Sequence, residues 1–147
     1  MQNLEIILTY KRQERSKDSN GSKKIYIIKD NKMSYEDEYW GFRSANIPMK
    51  KISQNLTKED IAEIYAYLHE NSLLKNINKK IKQPHVPYVI YDYELKIVTE
   101  KDSFLITVQG NNKKKSFSIS IPSINKKKES AFEKVDSFRN ILKLKIR

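Results

Sequence analysis

The sequence predicts an α+β fold, with a single antiparallel sheet of about five strands and two helices packed on one face of it. Short runs in both halves of the chain alternate apolar and polar residues, which is the pattern of half-buried strands. Two longer segments repeat apolar residues every three or four positions, which is the pattern of helices with one buried face. A single sheet covered on one face by both helices would bury all of these apolar stripes.

Chain length and composition favour one domain spanning residues 1–147. The chain is 38% hydrophobic and contains only three glycines and four prolines. It therefore has neither the low apolar content of a disordered chain nor the linkers of a multidomain one. The predicted order is two strands with room for a short third one, a helix, three strands and a final helix.

The N-terminal elements are predicted from alternation and from turn residues. Residues 4–13, LEIILTYKRQ, form a strand because their apolar side chains at every second position share one face. The next strands form a hairpin whose turn lies at residues 30–32. The segment that follows, residues 35–52, is predicted to be irregular because Gly41 and Pro48 interrupt it.

The first helix is predicted in LTKEDIAEIYAYLHEN, residues 56–71. Thr57 is a suitable N-cap, and Asp60 follows at the spacing of a capping box. The apolar residues then recur at the spacing of one buried helix face. They are Ile61, Ile64, Tyr65 and Leu68. Residues 73–77 are predicted to add a further short turn of helix.

The C-terminal half is predicted to contain three strands and a helix. Residues 88–121 break at 100–102 and at 110–112, which divides them into three strands of an antiparallel meander. The final segment opens with Ser130 and Glu133 at capping-box spacing and carries an apolar stripe, so it is predicted to be the second helix.

The net charge of +11 raises the question of nucleic-acid binding. Only five of the 29 basic residues are arginine, although arginine is the residue that binds phosphates and bases bidentately. Lysine, asparagine and isoleucine are the residues that A/T-rich genomes over-supply, so part of the charge reflects codon usage. The lysine triplets 113–115 and 126–128 are expected at opposite ends of one strand, where they would protect it from aggregation. Nucleic-acid binding is therefore the alternative function.

Catalytic and metal-binding motifs are not recognisable in the sequence. The absence of cysteine excludes disulfides, thiolate ligands and cysteine nucleophiles. His69 and His85 have no acid–base or metal-ligand spacing. The acidic residues 36–38 lack the glycine of a calcium loop, so cation binding there is a weaker interpretation. We expect no enzymatic activity, no cofactor and no metal; the second alternative is an enzyme or small-ligand binder whose site assembles only in three dimensions.

The most unusual local feature is the aromatic and acidic segment YEDEYWGFR, residues 35–43. Aromatic and arginine side chains dominate the hot spots of protein interfaces, so this segment is predicted to bind a partner protein. The expected anchors are Tyr39, Trp40 and Arg43, and the expected charge partners are Glu36, Asp37 and Glu38. The opposing interpretation is that Trp40, the single tryptophan, fills the core.

The sequence therefore predicts a non-enzymatic protein-binding domain, with neither the partner nor the oligomeric state defined. In style it is similar to small proteins of A/T-rich bacteria, such as toxin-neutralising immunity proteins and exported accessory proteins, but no motif carries that similarity. No apolar run reaches the roughly 18 to 20 residues of a membrane helix. We expect a cytoplasmic location if the chain is full length, and a periplasmic or lipid-anchored one if an export signal precedes it.

Overall fold

The computed structural model describes residues 4–15, 20–41, 49–81, 88–111 and 130–146. These residues contain seven strands and two helices. In chain order the elements are β1 (Glu5–Arg15), β2 (Gly21–Lys29), β3 (Lys32–Trp40), β4 (Lys50–Asn55), α1 (Lys58–Glu70), β5 (Ile77–Lys79), β6 (Tyr88–Val98), β7 (Ser103–Asn111) and α2 (Ala131–Leu144).

The strands form one sheet in the order β4-β3-β2-β1-β6-β7-β5. Neighbouring strands are antiparallel except at one edge, where β5 runs parallel to β7. The central strand is β1, which pairs with β2 on one side and with β6 on the other. The predicted α+β class with one mainly antiparallel sheet is confirmed, although the described residues contain seven strands where about five were predicted.

Two strands, β4 and β5, lie where no strand was predicted. The assignment of residues 50–52 to an irregular segment was wrong, since they open β4. Ile52 is the only apolar residue of that strand, so alternation gives almost no signal. The prediction of a further helical turn at residues 73–77 was wrong, because the strand β5 begins at Ile77. This strand is only three residues long, which is too short for a clear alternation pattern. The predicted irregular segment also begins too early in the chain, at residue 35, because the strand β3 continues to Trp40. Asp37 occupies an inward position of β3, where a hydrophobic residue is expected.

The hairpin between β2 and β3 turns at Asp30 and Asn31, within the predicted turn. Their φ angles are 53° and 61°. A two-residue type I′ turn requires positive φ at both central residues, and aspartate and asparagine adopt that conformation more readily than most residues. Lys29 and Lys32 are paired on either side of the turn, so the hairpin register follows directly from it.

Both helices begin at the predicted caps. The Thr57 side chain accepts a hydrogen bond from the Asp60 N–H at 3.0 Å, and the Asp60 carboxylate accepts one from the Thr57 N–H at 3.0 Å. The Ser130 hydroxyl accepts one from the Glu133 N–H at 3.1 Å. These side chains satisfy backbone donors that the first turn of a helix leaves free. Both predicted helices are thereby confirmed.

The two helices lie antiparallel to each other. Lys145, just after α2, has its ammonium group 3.1 Å from the Asp60 carboxylate in the first turn of α1. The Tyr67 hydroxyl, near the end of α1, donates to the Lys134 carbonyl near the start of α2 at 2.8 Å. The helix pair is therefore tied together at both ends.

The hydrophobic core lies between this helix pair and one face of the sheet, which we call the covered face. Alternate strand residues point to it, as Ile6 and Leu8 of β1 do with no exposed surface. Ile64 and Leu68 of α1 and Phe138 of α2 belong to the same cluster. The opposite side of the sheet, which we call the helix-free face, carries the other set of alternating side chains.

The predicted third strand of the meander and both lysine triplets fall between residues 112 and 129, outside the described residues. The first two meander strands are confirmed as β6 and β7. Neither α1 nor α2, the helices of the described part of the chain, is long and apolar enough to cross a membrane.

Candidate interaction surface

The predicted binding segment lies on β3, where successive side chains point to opposite faces of the sheet. The helix-free face receives Glu36, Glu38 and Trp40, and the covered face receives Asp37 and Tyr39. Arg43 lies outside the described residues. The structure therefore divides the predicted set between two surfaces and brings only three of its members together.

Asp37 is engaged within the protein. Its side chain is buried and accepts hydrogen bonds from the Tyr35 hydroxyl at 3.0 Å and from the Lys50 N–H at 2.9 Å. The second bond fastens the start of β4 to β3. Burial, and then the negative charge of Asp37, raise the pKa of the neighbouring Tyr39. These contacts give Asp37 a structural role on the covered face.

Trp40 lies half-buried on the helix-free face and packs over the neighbouring strand. It is paired with Gly21 of β2, and a Cβ atom at Gly21 would lie 2.5 Å from the indole ring. The ring therefore occupies the space that a side chain at Gly21 would need. Trp40 is not a member of the core cluster between the sheet and the helices.

Three isoleucines form the centre of the helix-free face, and we call them the isoleucine stripe: Ile7 of β1 and Ile25 and Ile27 of β2. Ile7 is paired with Ile27 and keeps 38% of its surface exposed. The other two are half-buried. Ile25 is also paired with Glu36, so the stripe adjoins the predicted acidic residues. A partly exposed apolar patch with a polar border is typical of a contact surface.

Charges of both signs alternate around the isoleucine stripe. The Lys29 ammonium group lies 3.3 Å from the Glu5 carboxylate, and the Lys51 ammonium group lies 3.2 Å from the Glu36 carboxylate. In the same way, Lys23 is paired in register with Glu38. Proteins that bind nucleic acid instead concentrate basic residues on one face. The described part of the helix-free face therefore lacks the single-sign field of such a surface.

Four tyrosines, one on each of β1, β2, β3 and β6, are buried on the covered face. Tyr10 and Tyr93 have ring centroids 4.7 Å apart, and Tyr26 and Tyr35 have centroids 4.9 Å apart. All four are less than a tenth exposed. Binding of single-stranded nucleic acid on a sheet requires exposed aromatic rings on which bases stack. These four rings have no such exposure, because they belong to the core cluster on the covered face.

One arginine of α2 organises these tyrosines. The Arg139 guanidinium lies 4.2 Å from the centroid of the Tyr10 ring, and its Nε donates to the Tyr93 hydroxyl at 2.9 Å. The Tyr93 hydroxyl in turn donates to the Asp136 carboxylate. This chain of contacts joins α2 to β1 and β6. Because charged hydrogen bonds are stronger than neutral ones, the network fixes the position of α2 on the sheet.

The same burial changes the acidity of the tyrosines. Burial raises the pKa of Tyr10 to about 12. Burial, and then the hydrogen bond to Asp136, raise the pKa of Tyr93. Burial, and then the hydrogen bond and charge of Asp37, raise the pKa of Tyr35. The neutral forms of these hydroxyls are therefore strongly favoured in the folded state.

A shallow depression of about 370 Å³ lies on the helix-free face, where lysines, threonines and acidic residues line it. At its rim the Gln109 amide donates to the Asp92 carboxylate at 2.5 Å and accepts from the Ile81 N–H at 3.3 Å. His69 lies exposed at the end of α1, and His85 lies outside the described residues. In the described ranges, no three histidine or acidic side chains are placed to hold a metal ion.

Comparison with protein-family models, with curated proteins and with solved structures finds no match to this chain. The surface is therefore interpreted from its own geometry and charge.

Sequence reasoning did not single out the isoleucine stripe. The signal was nevertheless present in β2, whose central residues IYII are apolar at consecutive positions. A strand with one wet face alternates apolar and polar residues, so apolar residues on both faces indicate a second contact surface. Ile25 and Ile27 supply that second set. Ile7, next to the core residue Ile6, repeats the pattern in β1.

Proposed function

We propose that this protein is a non-enzymatic binding domain whose helix-free sheet face contacts another protein. The observation that carries the proposal is the isoleucine stripe, where Ile7 is 38% exposed at the centre of a face bordered by ion pairs of both signs. An apolar centre with a polar border is the usual composition of a protein interface. Burial of the stripe by a partner would remove this apolar area from water.

Three residues predicted from the sequence extend this surface. Glu36 and Glu38 flank the stripe on β3, and Trp40 lies beyond them over Gly21. Tryptophan is the residue most enriched in interface hot spots. The expected partner surface is therefore aliphatic at its centre, with basic side chains placed to meet Glu36 and Glu38.

A protein partner fits this surface better than a nucleic acid does. The four buried tyrosines lie in the core, and the lysines of the helix-free face alternate with carboxylates instead of forming a basic stripe. Nucleic-acid binding nevertheless predicts its own result, because such binding weakens steeply as salt is raised and counterions are released.

Variants of the stripe test the proposal by affinity capture from a lysate of the source organism, with and without nuclease. Ile7→Lys places a charge in the centre of the stripe. Ala66→Lys places the same residue on the exposed side of α1, away from the helix-free face. We expect one captured protein that survives nuclease treatment and is retained by Ala66→Lys but lost by Ile7→Lys. Equal capture by both variants would contradict the proposal.

Trp40→Ala tests the predicted anchor. We expect partner capture to fall by at least about tenfold while the far-UV circular dichroism spectrum stays native, because Trp40 lies outside the core cluster. Loss of the native spectrum would show instead that the packing of Trp40 on Gly21 is needed for the fold. Capture that disappears with nuclease would identify nucleic acid as the ligand.

A further inference from the structure

The outer edge of β4 is the longer of the two sheet edges. It is six residues long and, among the described residues, pairs only with β3, whereas the opposite edge strand, β5, has three residues. A free edge exposes unpaired backbone N–H and C=O groups that can hydrogen-bond an added strand. The two edges therefore differ in how much backbone they offer.

The register shows which backbone groups of β4 point outward. The Leu56 N–H donates to the Asn31 carbonyl at 2.8 Å, one step beyond the pairing of Lys32 with Asn55. Hydrogen-bonded and non-bonded pairs alternate along an antiparallel ladder, so every second residue of β4 turns its backbone toward β3. The residues whose backbone N–H and C=O groups point away from β3 are Lys51, Ser53 and Asn55. Each is exposed, and in the part of the chain that the structure describes none has a strand on that side.

Side-chain contacts with the two helices hold the β4 edge in place. The Gln54 side chain donates to the Lys145 carbonyl after α2. The Lys145 ammonium group in turn lies 3.1 Å from Asp60 and 2.8 Å from Glu63, both on α1. Although burial alone would lower it, the hydrogen bonds to Glu63 and Asp60 raise the pKa of Lys145. A strand added at β4 would therefore meet a preorganised edge, which lowers the entropy lost on binding.

The charges beside the edge select the chemistry of an added strand. Lys50 and Lys51 open β4, and the Lys51 side chain is 72% exposed, with Glu36 as its ion-pair partner. Edge lysines repel basic strands and would lose hydration against neutral ones, which is how natural sheets prevent unwanted pairing. A second copy of this chain would bring the same lysines and the same net charge of +11. Acidic side chains opposite Lys50 and Lys51 would instead be attracted.

We propose that the outer edge of β4 accepts an extended, acidic segment of a partner protein as an additional antiparallel strand. The backbone of Lys51, Ser53 and Asn55 would supply the hydrogen bonds, and the two lysines would supply the charge preference. This inference rests on the proposed protein-binding function but uses a surface distinct from the isoleucine stripe.

A designed peptide tests the inference directly. The probe is a fluorescein-labelled peptide of about ten residues in which glutamate alternates with valine and threonine, and binding is followed by fluorescence anisotropy. We expect the wild-type protein to bind it, and the same peptide with lysine in place of glutamate not to bind. Absence of binding by the glutamate peptide would overturn the inference.

Ser53→Pro and Ser53→Ala form the matched pair of protein variants. Proline removes the outward N–H and is tolerated on an edge strand where that group faces solvent. We expect Ser53→Pro to bind the peptide at least about tenfold more weakly and Ser53→Ala to bind as the wild type does. Equal affinity of the two variants would contradict the inference. If Ser53→Pro does not fold, a peptide N-methylated on its edge-facing nitrogens must lose affinity for the wild-type protein.

Two further readouts separate this inference from the proposed function. Ala66→Lys should bind the peptide normally, because Ala66 lies on the exposed side of α1 and takes no part in the β4 edge. A peptide that fails to bind, beside partner capture that still depends on Ile7, would overturn the edge inference alone. If the wild-type protein sediments as a dimer and Ser53→Pro sediments as a monomer, the edge binds a second copy of this chain. That result would overturn the assignment to an acidic segment.

Discussion

The two faces of the sheet are built from the same strands but hold different kinds of interaction. On the covered face, Ile6 has no exposed surface and belongs to the core cluster that includes residues of both helices, whereas on the helix-free face its neighbour Ile7 is 38% exposed. The covered face also encloses the charged network of Arg139, Tyr93 and Asp136. The stability of the fold therefore resides mainly on the covered face.

The largest effect that we expect is a loss of stability at alkaline pH, caused by ionisation of the buried tyrosines on the covered face. Tyrosine in an unfolded chain ionises near pH ~10, but burial raises the pKa of Tyr10 to about 12 and also raises that of Tyr26. The unfolded state then releases protons that the folded state retains. The stability from these tyrosines is therefore fully present below pH ~10 and is lost as pH rises above it.

The measurement is urea unfolding between pH 8 and 12, with tyrosine ionisation followed by ultraviolet absorbance. We expect the urea midpoint to fall above pH ~10 and part of the tyrosine absorbance change to appear only on unfolding. A urea midpoint independent of pH would show that the covered-face tyrosines are accessible to solvent.

The next largest effect that we expect is the difference in unfolding free energy between alanine variants of the adjacent residues Ile6 and Ile7. Ile6→Ala removes a fully buried side chain from the core and should lower the free energy of unfolding by about 2–5 kcal/mol. Ile7→Ala loses a similar strand preference on the same strand but less buried area, because 38% of Ile7 is already exposed, so it should cost about 1–2 kcal/mol. Urea unfolding of both variants checks this. Similar losses would mean that the two faces stabilise the fold equally.

Removal of one hydroxyl from the Arg139 network should have a smaller effect. Tyr93→Phe leaves Arg139 and Asp136 without the hydroxyl that joins them, which should cost about 1–3 kcal/mol. Tyr65→Phe is the control, because its half-buried ring stacks near His69 and its hydroxyl makes no hydrogen bond within the described residues. That control should change the free energy of unfolding by less than about 0.5 kcal/mol.

Local signals explain which parts of the fold could be predicted from the sequence. The helix at 58–70 carries its own start signal in Thr57 and Asp60 and its own apolar periodicity, so it needed no knowledge of distant residues. The turn at Asp30 and Asn31 is similarly local. β4 depends instead on its pairing with β3, because its own sequence carries only one apolar residue. Long-range pairing overrides weak local preference in such strands.

The candidate surface was only partly predictable for the same reason. In a strand, the assignment of a side chain to one face depends on parity, so a segment taken as irregular has no defined faces. Glu36, Glu38 and Trp40 therefore could not be separated from Asp37 and Tyr39. Asp37 also made β3 difficult to recognise from the sequence, because its burial depends on hydrogen bonds from Tyr35 and Lys50 that the sequence does not show.

The central position of β1 has a consequence for how the protein folds. Its first residue, Glu5, pairs with Val98, so the N-terminal strand is completed only by the second half of the chain. During synthesis, β1 can pair with β2 early, but its other edge has no partner until β6 leaves the ribosome. Such long-range pairing slows folding and exposes an apolar edge in the interval. A chain truncated before β6 should therefore self-associate, because its central strand becomes an edge strand.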